Sequence, residues 1–285
     1  MQVKHFFDAR TWTLTYVVWD ATTRDAVILD PVLDFDPATG RVWQESVLAV
    51  MAWVEAESLT VRAILETHAH ADHLSGAQAL KARFGAPVVI GAGITRVQAV
   101  FAPLFDLGAD FKPDGSQFDQ LLLDEEEASF GSLTVKALHT PGHTPACMSY
   151  VLGDAVFTGD ALFMPDYGVG RCDFPHGDAG ALYTSVHDTL YLLPDSTRVF
   201  VGHDYQPEGR PVAFETTIGA SKASNVQLRA DTPRETFVKA RNARDSTLAA
   251  PRLLLPSIQV NIDAGRLPKP HANGRHYLLT PLKIS

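Results

Sequence analysis

An α/β fold, in which two mixed sheets pack face to face with helices outside them, is the architecture this sequence predicts. Three observations lead there. Short apolar runs of strand length alternate with stretches of helical period through both halves of the chain. No stretch rich in Gly, Ser or Pro divides it, so one domain is expected over residues 1–285, with 251–285 wrapping around the core. Polar residues of metal-binding type stand where apolar runs end, and strand ends give such groups a rigid base.

In order, residues 4–7, 14–19 and 26–29 read as strands joined by turn-rich pieces, and Asp30-Pro31 closes the third. Val47, Met51 and Val54 keep helical spacing inside 42–57, which predicts an amphipathic helix. Residues 61–65, apolar apart from Arg62, read as a buried strand. Ala77, Leu80 and Phe84 resume the helical period, and Gly85 is placed to stop that helix. A strand at 87–90 and a helix at 95–107 follow. In the second half, strands are expected at 121–123, 132–138, 148–152 and 155–158, then a glycine-rich loop at 167–171. Leu182, Val186, Leu190 and Leu193 share one side of a helix over 178–193, and a strand at 198–201 ends near His203. Thr232-Pro233-Arg234-Glu235 has the form of a capping box with Pro in the first turn, so a helix should begin there and run to about residue 248. From Pro251 onward the chain is rich in proline and is expected to be irregular.

Composition narrows the function. An apolar share of 46% is ample for a core. A net charge of -9, with no run of Lys and Arg, argues against nucleic acid as a partner, and an anionic substrate would need a local basic pocket. Cys147 and Cys172 are too few for a disulfide framework and fit a reducing compartment. No apolar stretch has bilayer length and the start lacks a secretory pattern, so the expectation is a cytoplasmic protein without a membrane partner.

The stretch Thr67-His68-Ala69-His70-Ala71-Asp72-His73 packs three imidazoles and a carboxylate directly after the strand at 61–65. Imidazole nitrogens and carboxylate oxygens are the usual ligands of first-row divalent metals. A lone histidine is more often a satisfied core residue, but burying this many polar groups together costs free energy unless each finds a partner. Three later positions complete the set: His143 in His139-Thr140-Pro141-Gly142-His143-Thr144, Asp160 in Phe157-Thr158-Gly159-Asp160, and His203 in Val201-Gly202-His203-Asp204-Tyr205. Each follows a strand, so all can converge on one sheet edge. His139 reads as structural, and His5, His176, His187, His271 and His276 lie outside the pattern.

These positions match the ligand set of the metallo-beta-lactamase superfamily, which the chain resembles along most of its length. The resemblance implies an αββα four-layer sandwich and leaves two chemistries open. In glyoxalase II-like hydrolases all seven residues would hold two zinc ions, with Asp160 bridging, for hydrolysis of a thioester. In persulfide dioxygenases His68, His143 and Asp160 alone would bind one ferrous ion and form the catalytic centre. His70, Asp72, His73 and His203 would then orient ligands or water by hydrogen bonds.

Loops favour the dioxygenase. Gly168-Val169-Gly170-Arg171-Cys172-Asp173-Phe174 resembles the Gly-x-Gly-Arg-x-Asp-Phe loop of that family, and further likeness lies in His139 to Pro145, His203-Asp204-Tyr205 and Leu267-Pro268-Lys269-Pro270. The implied reaction is oxidation of glutathione persulfide by dioxygen to sulfite and glutathione, with small molecules as partners; the outer helix faces leave room for a homodimer. Arg171 has the planar fork to receive a substrate carboxylate, an ion pair with Asp173 being the equal alternative, and Tyr205 offers a hydroxyl. The family's Asn-Pro-Arg-Leu stretch is Asn225-Val226-Gln227-Leu228 here, so an expected basic group is missing and Lys222 is the candidate to replace it. Ala146 likewise stands where Gly is common. Cys172 beside a cation invites a thiolate role, yet a small inert loop residue is the preferred reading. A persulfide binder without turnover is the third class, and the intact ligand set speaks against it.

Overall fold

The computed structural model describes residues 1–282. The first half supplies β1 (Gln2–Asp8), β2 (Thr13–Trp19), β3 (Asp25–Leu29), β4 (Val32–Asp36), β5 (Arg41–Trp43), β6 (Thr60–Glu66), β7 (Leu74–Ser75), β8 (Val88–Gly91) and β9 (Gln120–Leu122). The second supplies β10 (Glu127–Phe130), β11 (Leu133–His139), β12 (Met148–Leu152), β13 (Ala155–Phe157), β14 (Arg198–Phe200) and β15 (Glu215–Thr217). Helices are α1 (Glu45–Ala56), α2 (Ala77–Phe84), α3 (Ile94–Leu104), α4 (Ala179–Thr184), α5 (Ile218–Ser224), α6 (Arg234–Asp245) and α7 (Leu254–Asn261).

One sheet has the order β1-β2-β3-β6-β8-β9, antiparallel through β3 and parallel beyond it. The other runs β10-β11-β12-β13-β14-β15 and is antiparallel except between β13 and β14. Period-two alternation decides which side chains meet. Leu14, Tyr16, Val18, Val27 and Leu29 face the second sheet and pack with Val135, Tyr150, Phe157 and Phe200. Val17, Ile28 and Ile64 point the other way, into a layer with Val47, Val54, Leu80 and Phe101 from the helices. Each such side chain contributes about 1.5–3 kcal/mol by leaving water. This is the αββα sandwich. Arg62 interrupts the apolar run at a bulge between β3 and β6, where its guanidinium meets Asp25 at 2.6 Å.

Differences from the sequence reading have physical causes. Val42 and Trp43, read as helix, pair with Phe35 and Asp34 in a small sheet of β5, β4 and β7, and the helix begins at Glu45. The helix expected over 178–193 starts on the Asp178 cap, which accepts from the Ala181 N–H, but widens into a π turn at Ser185–Thr189 and tightens at Leu190–Leu192. The capping box at Thr232 does not form: its hydroxyl accepts from the Arg229 N–H at 2.9 Å, and Pro233 precedes α6 without a side-chain cap. β10, β15 and α5 were not foreseen, being too short for a periodic signal. The segment from Pro251 contains α7, with Ile258 and Val260 fully buried; residues 283–285 of the expected wrap lie outside the described residues.

β11, β13 and β14 run in one direction, so the loops after them leave from one edge of their sheet. There they meet the loop after β6: the Met148 N–H donates to Thr67 O at 2.9 Å. Glycine permits the closest approaches. Gly159 has φ +48°, and a Cβ there would lie 2.6 Å from Thr67 Oγ1; one on Gly202 would lie 2.9 Å from the Gly159 carbonyl. The turns carrying Asp160 and His203 therefore stack backbone on backbone, with the Gly202 N–H donating to Gly159 O. Tyr16 braces the same edge by donating its buried hydroxyl to Val201 O at 2.7 Å.

Candidate metal centre

Four imidazoles have their tautomer set by what lies behind them. His143 Nδ1 is 2.7 Å from Arg171 O, His73 Nδ1 3.0 Å from Leu74 O, and His203 Nδ1 3.3 Å from Trp12 O. A carbonyl only accepts, so each Nδ1 carries the proton and each Nε2 keeps a free lone pair. For His68 the logic runs through Thr67: its hydroxyl donates to Asp30 Oδ2 at 2.8 Å and so accepts from His68 Nδ1 at 3.0 Å.

Those lone pairs face other acceptors. His203 Nε2 lies 3.3 Å from Asp160 Oδ1, and His143 Nε2 lies 3.5 Å from Asp160 Oδ2, neither aligned as a hydrogen bond. The Nε2 atoms of His68, His73 and His203, with Asp160 Oδ1 and Asp72 Oδ2, are buried without a hydrogen-bond partner. Leaving each unsatisfied costs about 1–3 kcal/mol, and a cation between them removes that cost. The donor set thus fits a first-row divalent metal, as the sequence suggested.

The donors fall into groups. Ligand atoms of His68, His143 and Asp160 lie within 4.8 Å of one another; so do those of His70, Asp72 and His203, and those of Asp30, Glu66 and His70. His70 is the odd member. Its Nε2 sits 3.0 Å from Asp30 Oδ1 and 3.6 Å from Glu66 Oε2, close enough for strong attraction though not aligned as a hydrogen bond. Burial pulls its pKa down, but the Asp30 and Glu66 carboxyls outweigh that and hold the imidazole up at about 10. Burial, joined by the charge on His70, drives His68 well below the usual range and takes His73 down to about 4. Glu66, taken out of water, is pushed up to about 8.

The three expected substrate contacts separate. Tyr205 lines the centre, stacked on Tyr167 at 4.7 Å between rings, and its burial keeps the phenol protonated. Arg171 reaches the same cleft, a cavity of about 200 Å³, but both arms of its fork hold Asp173 at 2.5 Å and one also donates to Ala249 O. Lys222 is not brought to the site; it pairs with Asp195 at 2.6 Å on α5. Cys172 is buried, its thiol pushed up by burial and its N–H donated to Asp245 Oδ2, which leaves no thiolate there.

Several supports escaped the sequence reading. Asp30 and Glu66 stand behind His70. Asn261 of α7 donates to His70 O and His73 O, each at 2.8 Å, while its Oδ1 accepts from the Ser75 N–H at 2.8 Å. Arg241 and Asp245 form a buried pair under the glycine-rich loop; Arg241 donates to Val169 O and Gly170 O. For Asp30 a signal existed: an acid directly after an all-apolar strand. A lone Asn in a proline-rich tail offers none.

Residues 13–203 match the model of the metallo-beta-lactamase superfamily. A Burkholderia pseudomallei protein described as a "probable metallo-hydrolase" is 48% identical over 99% of both chains. A beta-lactamase hydrolase-like protein of Agrobacterium fabrum is also 48% identical, and this chain spans 65% of its length. The human mitochondrial persulfide dioxygenase is 32% identical over 71% of this chain and 68% of its own. Among solved structures, the Myxococcus xanthus protein titled ETHE1 superposes with a TM-score of 0.74 at 33% identity, covering 93% of this chain and all of that one.

Proposed function

The chain belongs to the metallo-beta-lactamase superfamily, and from that premise we propose that it is an iron-dependent persulfide dioxygenase. The observation that carries this reading is the grouping of His68, His143 and Asp160 apart from His70. Two imidazoles and one carboxylate are the protein donors of non-haem Fe(II) oxygenases. His70 differs from that trio in having Asp30 and Glu66 against its Nε2.

Ferrous iron bound there would supply redox chemistry and vacant positions for sulfur and dioxygen. The protein's own contribution is orientation. Carbonyls of Arg171, Leu74 and Trp12 fix three rings, and the Thr67 hydroxyl, anchored on Asp30, fixes His68. Phe163, Tyr167 and Tyr205 line the cleft on the Asp160 side. Overall, RSSH, O2 and H2O give RSH, sulfite and two protons; the terminal sulfur provides the electrons, so no flavin or nicotinamide is required. The resemblance to the human persulfide dioxygenase supports this reading.

A binuclear hydrolase is the second reading. Favouring it are the group formed by His70, Asp72 and His203, and the hydrolase names of more similar relatives. Metal analysis and oxygen electrode traces separate the two. The dioxygenase contains one iron per chain and consumes oxygen with glutathione persulfide. Two zinc ions per chain, with S-lactoylglutathione turned over in the absence of oxygen, would establish the hydrolase instead.

A further inference from the structure

Two of the carbonyls that orient the centre's imidazoles are themselves held from behind. Leu74 O, which accepts from His73 Nδ1, shares its peptide unit with the Ser75 N–H, and that N–H donates to Asn261 Oδ1 at 2.8 Å. Arg171 O, which accepts from His143 Nδ1, shares its peptide unit with the Cys172 N–H, and that N–H donates to Asp245 Oδ2 at 2.7 Å. Both chains of bonds run from a side-chain oxygen through a peptide to an imidazole. They differ in charge: an amide ends the first and a carboxylate ends the second.

Asp245 occupies an unusual place. α6 turns Phe237, Arg241 and Asp245 inward, a stripe at helical spacing that begins apolar and continues with two charges, both buried. Burying an ion pair brings little stability, and well-packed apolar residues in its place are often neutral or better. The bonds this pair makes show where it acts. Asp245 gives one oxygen to Arg241 and the other to the Cys172 N–H. Arg241 donates to Val169 O and Gly170 O, both at 3.3 Å, and to Gln227 Oε1 at 2.9 Å. Gln227 returns to the same loop by donating to Tyr167 O at 2.8 Å. The loop so held lies directly against a second ligand, since a Cβ on Gly170 would come within 2.0 Å of Asp160 O.

We propose that Asp245, with Arg241 as its counter-charge, is a positioning residue for the metal centre, acting on His143 through the Arg171–Cys172 peptide. A carboxylate on the N–H of a peptide polarises that unit and makes its carbonyl a stronger acceptor, because hydrogen bonds in a chain reinforce one another. The stronger acceptor draws on the Nδ1 proton of His143, fixes the plane of the ring and makes Nε2 a better metal donor. His73, whose peptide ends on a neutral amide, receives less of this effect. The inference rests on a metal centre that includes His143 and not on the choice between dioxygenase and hydrolase, because His143 is a ligand in both.

Metal affinity and the imidazole N–H signals of the zinc-loaded protein read this directly. In Asp245→Asn the dissociation constant for ferrous ion, measured by chelator competition under nitrogen, should rise by about 10 to 100-fold. In nuclear magnetic resonance spectra the Nδ1–H signal of His143 should move upfield while that of His73 keeps its place. A paired change, Arg241→Met with Asp245→Leu, removes both charges and keeps the space filled. The metal-free form of that variant should melt at or above the wild-type temperature and still bind iron more weakly. Unchanged affinity in Asp245→Asn, or a His143 signal that stays in place, would overturn the proposal. Metal loss that only tracks a lowered melting temperature of the metal-free protein in both variants would overturn it too, since packing alone would give that result.

Discussion

His68 and His143 stand against a hydroxyl and a backbone carbonyl, whereas His70, two residues along the same loop, stands against Asp30 and Glu66. The three side chains are chemically identical and nearly equally buried. The first two have uncharged oxygens behind them; the third has acids, which raise the pKa of its ring. Each histidine of the cluster is thus oriented by its partner on the far side.

The contrast can be broken by substitution, beginning with its strongest element. Asp160→Ala removes the carboxylate that faces both His143 and His203, so bound metal and oxygen uptake should fall below detection while the far-ultraviolet spectrum persists. His70→Asn tests the odd member. The variant should retain its metal and lose activity by about 10 to 100-fold, the usual cost of a supporting contact; loss of the metal in plasma emission analysis would make His70 a ligand. Asn261→Ala leaves the carbonyls of His70 and His73 without their partner, at about 1–3 kcal/mol each. A lower melting temperature and weaker metal retention during chelator titration should appear together. Cys172→Ser should change activity by less than about twofold, since burial keeps that thiol protonated, and native protein should resist alkylation at this position.

Much of this centre was legible because its donors sit in short local motifs. The seven donors, the strands that carry them and the alternation that makes two sheets are written in spacing of a few residues. What spacing cannot carry is a partner chosen across the fold. Asn261 meets the His70 loop from far along the chain, and Arg241 with Asp245 reaches back under residues 169–172. Lys222 shows the converse: Asp195, distant in sequence, holds it away from the centre. The capping motif at Thr232 misled because its hydroxyl had a nearer use. β5 was missed since hairpin pairing overrides helical period in a run as short as Arg41–Trp43.

The three hydrogen bonds made by Asn261 also set an order of events during synthesis. The loop bearing His70 and His73 leaves the ribosome well before α7, and until that helix emerges two of its carbonyls and the Ser75 amide lack their clasp. A nascent chain stalled ahead of Leu254 would thus hold an ion loosely and exchange it readily.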